Sequence, residues 1–150
     1  FIKRETKIVN YTIYIASKFH SRYRLRPIKK QLQNLGYVVL SKWMEEDSYL
    51  SDHDDSLGNS LEENIHMADR DTQEILSCDI FIIDTLEGLS KDGGGGRETE
   101  LGIILCNPII MAYRVGPMRN IFHSKIPGFN SWGDLIPYLK EKFTNDEKDL

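Results

Sequence analysis

The chain has no excess of basic charge: 19 Lys and Arg stand against 23 Asp and Glu, a formal net charge of −4. A general positive field of the kind that holds a nucleic-acid backbone is therefore excluded, and no nucleic-acid polymer is expected as partner. Long hydrophobic runs are missing too. The longest is about half a membrane span, too short for a transmembrane helix, and no leader with a charged start and an apolar middle opens the sequence. Cysteine is scarce, with only Cys78 and Cys106. Each sits among apolar residues, which reads as two buried free thiols in a reducing, cytoplasmic setting rather than a disulfide. The four histidines, His20, His53, His66 and His123, lack the spacing of a zinc site. The acidic string Ser51-Asp52-His53-Asp54-Asp55-Ser56 lacks the alternating acids and glycine of a calcium loop. No metal and no cofactor are expected. What remains is an ordinary globular composition, 40% hydrophobic and 28% charged, over 150 residues, enough for a single domain 1–150 with one core.

Periodicity supplies the elements. Residues 11–17 (YTIYIAS) are rich in β-branched and aromatic side chains and predict a buried strand. A helix over about 23–35 follows, with Leu25, Ile28, Leu32 and Leu35 on one face and Gly36 as its C-terminal cap. Residues 37–41 (YVVLS) form the second predicted strand, and 45–59 read as an acidic loop. Ser60 and Glu63 make a capping box that opens a helix with Leu61, Ile65, Ala68 and Ile75 on one side. Residues 79–84 (DIFIID) are a continuous apolar strand of the type buried in a parallel sheet. A glycine-bearing loop over 86–96, a helix over about 97–105, a strand at 108–113 and a helix over about 131–143 complete the pattern, with a frayed tail. Strand and helix alternate throughout, which predicts an α/β fold with a doubly wound parallel sheet in three layers.

In such a sheet, ligands sit beyond the carboxyl ends of the strands. That rule selects residues 17–22, the loop into Trp43, and the stretch 85–100. Gly93 to Gly96 precede a helix, whose free N–H groups favour an anion or a hydroxyl-rich group; the alternative is a plain surface loop. Glu98 and Glu100 lie about 200° apart around a helix, so one faces the cleft and the other solvent, and spacing alone does not say which. Asp71 borders the apolar stripe of its helix, where it is either functional or a salt-bridged structural acid. Tyr14, Ser17, Lys18, Arg22 and Arg24 collect a phenol, a hydroxyl and several cations near the first strand. They form either solvated surface charge or a local patch suited to a phosphate.

These segments resemble a known family. YIASKF at the first strand, ADRDTQEILSCDIFIID in the middle and GGGGRETELGIIL, NPIIMAY and RNIFHS later are similar to the nucleoside 2-deoxyribosyltransferase superfamily. The likeness runs from Tyr11 to His123 and is strongest to small phage and bacterial members related to deoxynucleoside 5′-monophosphate N-glycosidases. It implies a flavodoxin-like, Rossmann-like fold and cleavage or exchange of an N-glycosidic bond through a glycosyl-enzyme intermediate. Glu100, inside, would be the nucleophile and Glu98 would lie outside. Asp71 would face the nucleobase and Tyr14 would position the nucleophile. Ser17, Lys18, Arg22, Asp92, Gly94, Gly95, Gly96 and Arg97 would bind substrate. Asn120 would reach a neighbouring subunit's site in a homodimer or larger homo-oligomer.

Two departures stand out. Longer family members carry a sugar-binding aspartate six residues before the nucleophile, where this chain has Gly94, and Asp92 is two residues further away. Members that use monophosphates have a glycine-rich turn after the first strand, where this chain has residues 17–22, SKFHSR. Two other functions compete: a glycohydrolase acting on NAD-type nucleotides, and a non-catalytic nucleotide-binding module or sensor.

Overall fold

The computed structural model describes residues 6–8, 10–46, 60–88, 94–143 and 147–149. Five strands form one parallel sheet: β2 (Thr12–Ala16), β3 (Val38–Val39), β4 (Ile80–Asp84), β5 (Met111–Val115) and β6 (Gly128–Phe129), in the order β3-β2-β4-β5-β6. Among the described residues four α-helices accompany it: α1 (Arg22–Asn34), α2 (Leu61–Ser77), α3 (Gly95–Leu105) and α4 (Trp132–Lys142). The arrangement is a three-layer, Rossmann-like α/β fold, as the alternation predicts. A separate antiparallel ribbon pairs β1 (Thr6–Ile8) with β7 (Glu147–Asp149), so the backbone of 147–149 is a strand where the sequence reads as frayed.

The core sits on the central strands. Ile13 to Ala16 of β2 and Ile80 to Ile83 of β4 are fully buried, as expected of strands covered on both faces. The connection out of β2 crosses to β3 at the edge, and the next returns past β2 to β4. The sheet order therefore reverses between β2 and β4, and their carboxyl ends diverge to leave a crevice.

Several boundaries differ from the sequence reading. β3 covers two residues, not five, because Ser41 turns the chain into a 3-10 turn over Lys42–Glu45. The fourth strand of the alternation, β5, starts at Met111 rather than 108, and β6 is too short to carry any periodicity. α3 begins at Gly95, since Gly94, at φ 105°, enters the helix through a left-handed conformation open to glycine. α2 opens with the expected capping box, Glu63 N–H donating to Ser60 Oγ and Ser60 N–H to Glu63 Oε1, both 3.1 Å. Its expected stripe is not buried: Leu61, Ile65 and Ala68 are exposed and only Ile75 enters the core. The first half of α2 flanks a cavity instead of the sheet. Cys78 is buried, with burial pushing its thiol up to about 12, but Cys106 is exposed; both are free. The residues 47–59 that hold most of the acidic loop lie outside the described residues.

Candidate active site

Tyr14 points from the middle of β2 and is fully buried. Its hydroxyl donates to Glu100 Oε2 of α3. The β2 backbone at this depth is held by side chains from beyond β3: Ile15 N–H donates to Ser41 Oγ at 2.6 Å, and Trp43 Nε1–H donates to the Ile15 carbonyl at 2.8 Å. Ser41 thus continues the ladder where the backbone has turned away, and the Trp43 indole is pinned against the cavity. Periodicity carries no signal for either role.

A cavity of about 300 Å³ opens at this point, at the small end of ligand pockets. Glu100 and Asp71 line it together with Ser17, Gly94, Gly96 and Arg97, as do the apolar Phe19, Trp43 and Met67. It lies at the switch between β2 and β4, where the alternation places a ligand. Gly95 sits beside it at the start of α3, and a Cβ added at Gly95 or Gly96 would meet nothing within 4 Å, so packing does not require these glycines.

The acids there are perturbed. Desolvation by burial pushes Glu100 up to about 8; the Tyr14 hydrogen bond pulls it down, and the charges of Asp71 and Glu74 add to the rise. Tyr14 is raised by burial and by Glu100. Asp71 is raised by burial, partly offset by Arg70, whose Nε and Nη2 donate to its Oδ1 at 3.2 and 3.0 Å. Arg70 also pairs with Glu46. No cation among the described residues pairs with Glu100. A carboxyl of this kind can act as acid, base or nucleophile near neutral pH.

Not every residue singled out from sequence reaches the cavity. Arg22 folds back on its own turn: Nη1 donates to the Phe19 carbonyl at 3.2 Å, and the guanidinium lies over the Phe19 ring at 4.0 Å. Lys18 caps the 3-10 turn Phe19–Ser21 and does not line the cavity. Arg24 is not simply solvated, since its two terminal nitrogens donate to buried Asp84 at 2.9 and 3.0 Å. Asn120 does not line this cavity. It caps the 3-10 turn Ile121–Lys125 and donates to Glu98 Oε2 at 3.1 Å. Asp92 lies outside the described residues.

Glu98 also departs from the reading that places it in solvent. It is half-buried and accepts from His123 Nε2 (2.8 Å), Asn120 Nδ2 and Arg97 Nε (3.1 Å each). Burial pushes its carboxyl up, but the His123 and Asn120 hydrogen bonds outweigh this and hold it below the usual range. Because His123 Nδ1 accepts from the Arg119 backbone N–H at 3.0 Å, the ring proton is on Nε2 and points at Glu98. Arg97 is buried and its Nη1 donates to the carbonyls of Asp84 and Glu87 at 3.2 and 2.7 Å. Ser17 Oγ donates to the same Asp84 carbonyl at 3.3 Å.

No family model matches the chain, and no curated protein does. Solved structures do. A 2-deoxyribosyltransferase from Bacillus psychrosaccharolyticus superposes with a TM-score of 0.65 at 19% identity, covering 91% of this chain and 98% of that one. It has the fold of the 2-deoxyribosyltransferases. A second such enzyme, from Leishmania mexicana, gives 0.60 at 18% identity over 89% of this chain and 99% of its own. Among the described residues no group of three or more His, Cys, Asp or Glu is placed to hold a metal ion, and no helix is long and apolar enough to cross a membrane.

Proposed function

We propose that the protein cleaves or exchanges the N-glycosidic bond of a deoxynucleoside or its 5′-monophosphate, with Glu100 as nucleophile. The observation that carries this is Glu100, which lines a cavity at the sheet's switch point and accepts a hydrogen bond from the buried Tyr14 hydroxyl behind it. The likeness in fold to two 2-deoxyribosyltransferases supports it.

The chemistry follows from the residue types. A Glu100 carboxylate oxygen attacks C1′ as the C1′–N bond breaks, through an oxocarbenium-like state. The bonding pair leaves with the base, which Asp71 orients or protonates. The glycosyl-enzyme is then opened by a second base, giving a new nucleoside, or by water, giving the free sugar; either restores Glu100. Tyr14 holds the carboxylate in line. Phe19, Trp43 and Met67 offer apolar surface to the base, and the glycines at the start of α3 leave backbone N–H groups open to the sugar or its phosphate.

The test is chromatography of deoxynucleosides, their 5′-monophosphates and NAD after incubation with wild type and with Glu100→Ala. Free base from a deoxyribosyl substrate with wild type only is the expected result, and an added second base separates transfer from hydrolysis. Release of nicotinamide alone identifies a nucleotide glycohydrolase. Binding without any release overturns the catalytic reading.

A further inference from the structure

We infer that Asn64 reads the outer edge of the nucleobase and lets the cavity accept amino and oxo bases alike. This rests on the reading of the cavity as a nucleoside site. Asn64, Met67, Ala68 and Asp71 fall on one face of α2 at spacings of three and four, and all four line the cavity. Asn64 and Asp71 are separated by about two turns, roughly 10 Å along the axis. With Asp71 deep beside Glu100, Asn64 stands nearer the α2 N-terminus, at the end of the sheet where strands β2 and β4 finish.

The other polar side chains of the cavity wall each make at least one hydrogen bond within the protein, although Arg97 Nη2 is buried without a partner of its own. Ser17 donates to the Asp84 carbonyl, Trp43 to the Ile15 carbonyl, Arg97 to Asp84, Glu87 and Glu98, Asp71 is held by Arg70, and Glu100 by Tyr14. The Asn64 carboxamide, half-buried, is the exception: it has no partner among the described residues. Half-buried in the cavity wall, the amide keeps its donor and its acceptor available to a ligand that displaces water there. The same cavity is lined by Phe19, Trp43 and Met67, and aromatic side chains are surfaces on which bases stack.

A carboxamide presents a donor beside an acceptor and exchanges them by turning over. Adenine and cytosine offer an amino donor next to a ring-nitrogen acceptor; hypoxanthine and uracil offer a carbonyl acceptor next to an N–H donor. Asn64 matches either pair, one in each orientation. A carboxylate at this position accepts only, and would meet the oxo edge acceptor to acceptor.

The experiment compares matched substrates that differ only in amino against oxo: deoxyadenosine with deoxyinosine, and deoxycytidine with deoxyuridine. Their relative kcat/KM is read for wild type, Asn64→Asp and Asn64→Leu. Expected are wild-type ratios within about tenfold of unity, a shift of tenfold or more toward amino bases in Asn64→Asp, and a loss common to both members of each pair in Asn64→Leu. A ratio in Asn64→Asp within about twofold of wild type overturns the inference, as a purely structural residue would lower all four together. Equilibrium binding of the same four compounds is measured in parallel. Selectivity that shifts in binding while no base is released keeps the Asn64 inference and overturns the glycosidic reaction.

Discussion

At the residue scale the tension lies in Glu100. A nucleophile must be ionised, yet burial lifts its carboxyl to about 8 and only the Tyr14 hydroxyl works against that rise. At pH 7 roughly a tenth of the free protein carries the carboxylate, so kcat/KM is expected to climb through pH 7, reach half its maximum near pH 8 and level off about one unit above that. Tyr14→Phe removes a hydrogen bond to a charged acceptor, a loss of about 1.5–3 kcal/mol, or some 10–100-fold in kcat. The rising limb of the pH profile should also move to higher pH; an unmoved limb would separate Tyr14 from Glu100. Stability gives an independent readout. Because the folded value lies above 4.5, the contribution of Glu100 is fully present below about pH 4.5 and is lost as pH rises toward 8. Glu100→Gln is therefore expected to match wild type near pH 4 and to exceed it at pH 8 by about 2 kcal/mol in chemical denaturation, the cavity's access to solvent moderating the full linkage value.

At the element scale the orientation of α3 decides which glutamate meets the cavity. Helical spacing sets Glu98 and Glu100 on different sides but carries no information on what packs against each. That partner, His123, comes from a turn 25 residues downstream, with Asn120 beside it. The same limit explains α2, whose apolar spacing is real but whose first half leans over the cavity, leaving Leu61 and Ile65 exposed. Glu98 acts as a latch: it joins α3 to the 121–125 turn, while Arg97 joins α3 to the end of β4. Glu98→Ala leaves the buried His123 and Arg97 donors without their acceptor, at a cost of about 1–3 kcal/mol. A lower melting temperature and a reduced kcat with KM little changed are expected, and Glu98→Gln, which keeps an acceptor, should recover most of both. A Glu98→Ala protein with wild-type kcat would show that α3 holds its orientation without the latch.

At the scale of the whole molecule, the parallel sheet and its crevice are legible because β2 and β4 are uninterrupted apolar runs joined through capped helices. β6 and the β1–β7 ribbon are not, since strands of two or three residues have no period to detect. Nor is the point that ties the layers together. Asp84, at the end of β4, is fully buried. Its carboxylate accepts from both terminal nitrogens of Arg24 on α1, from Trp132 Nε1 on α4 at 2.7 Å, and from the Leu86 N–H at 3.2 Å. In the sequence it is only the last letter of an apolar strand, and its partners lie 60 and 48 residues away. Its carbonyl meanwhile holds Ser17 and Arg97 at the cavity. Removing the carboxylate strands a buried indole N–H and a guanidinium at once, so Asp84→Ala is expected to cost about 3–5 kcal/mol. Trp132→Phe deletes one donor and leaves the ion pair, a loss of about 1–2 kcal/mol. Arg24→Met leaves the fully buried Asp84 carboxylate without its cation, a cost that the 36% exposure of the Arg24 side chain and the remaining Trp132 and Leu86 donors reduce to about 2–3 kcal/mol. Denaturant unfolding should rank the losses Asp84→Ala, then Arg24→Met, then Trp132→Phe. An Arg24→Met loss as large as that of Asp84→Ala would make the ion pair, rather than the shared carboxylate, the join between the layers, and would move the origin of the cavity's rigidity to α1.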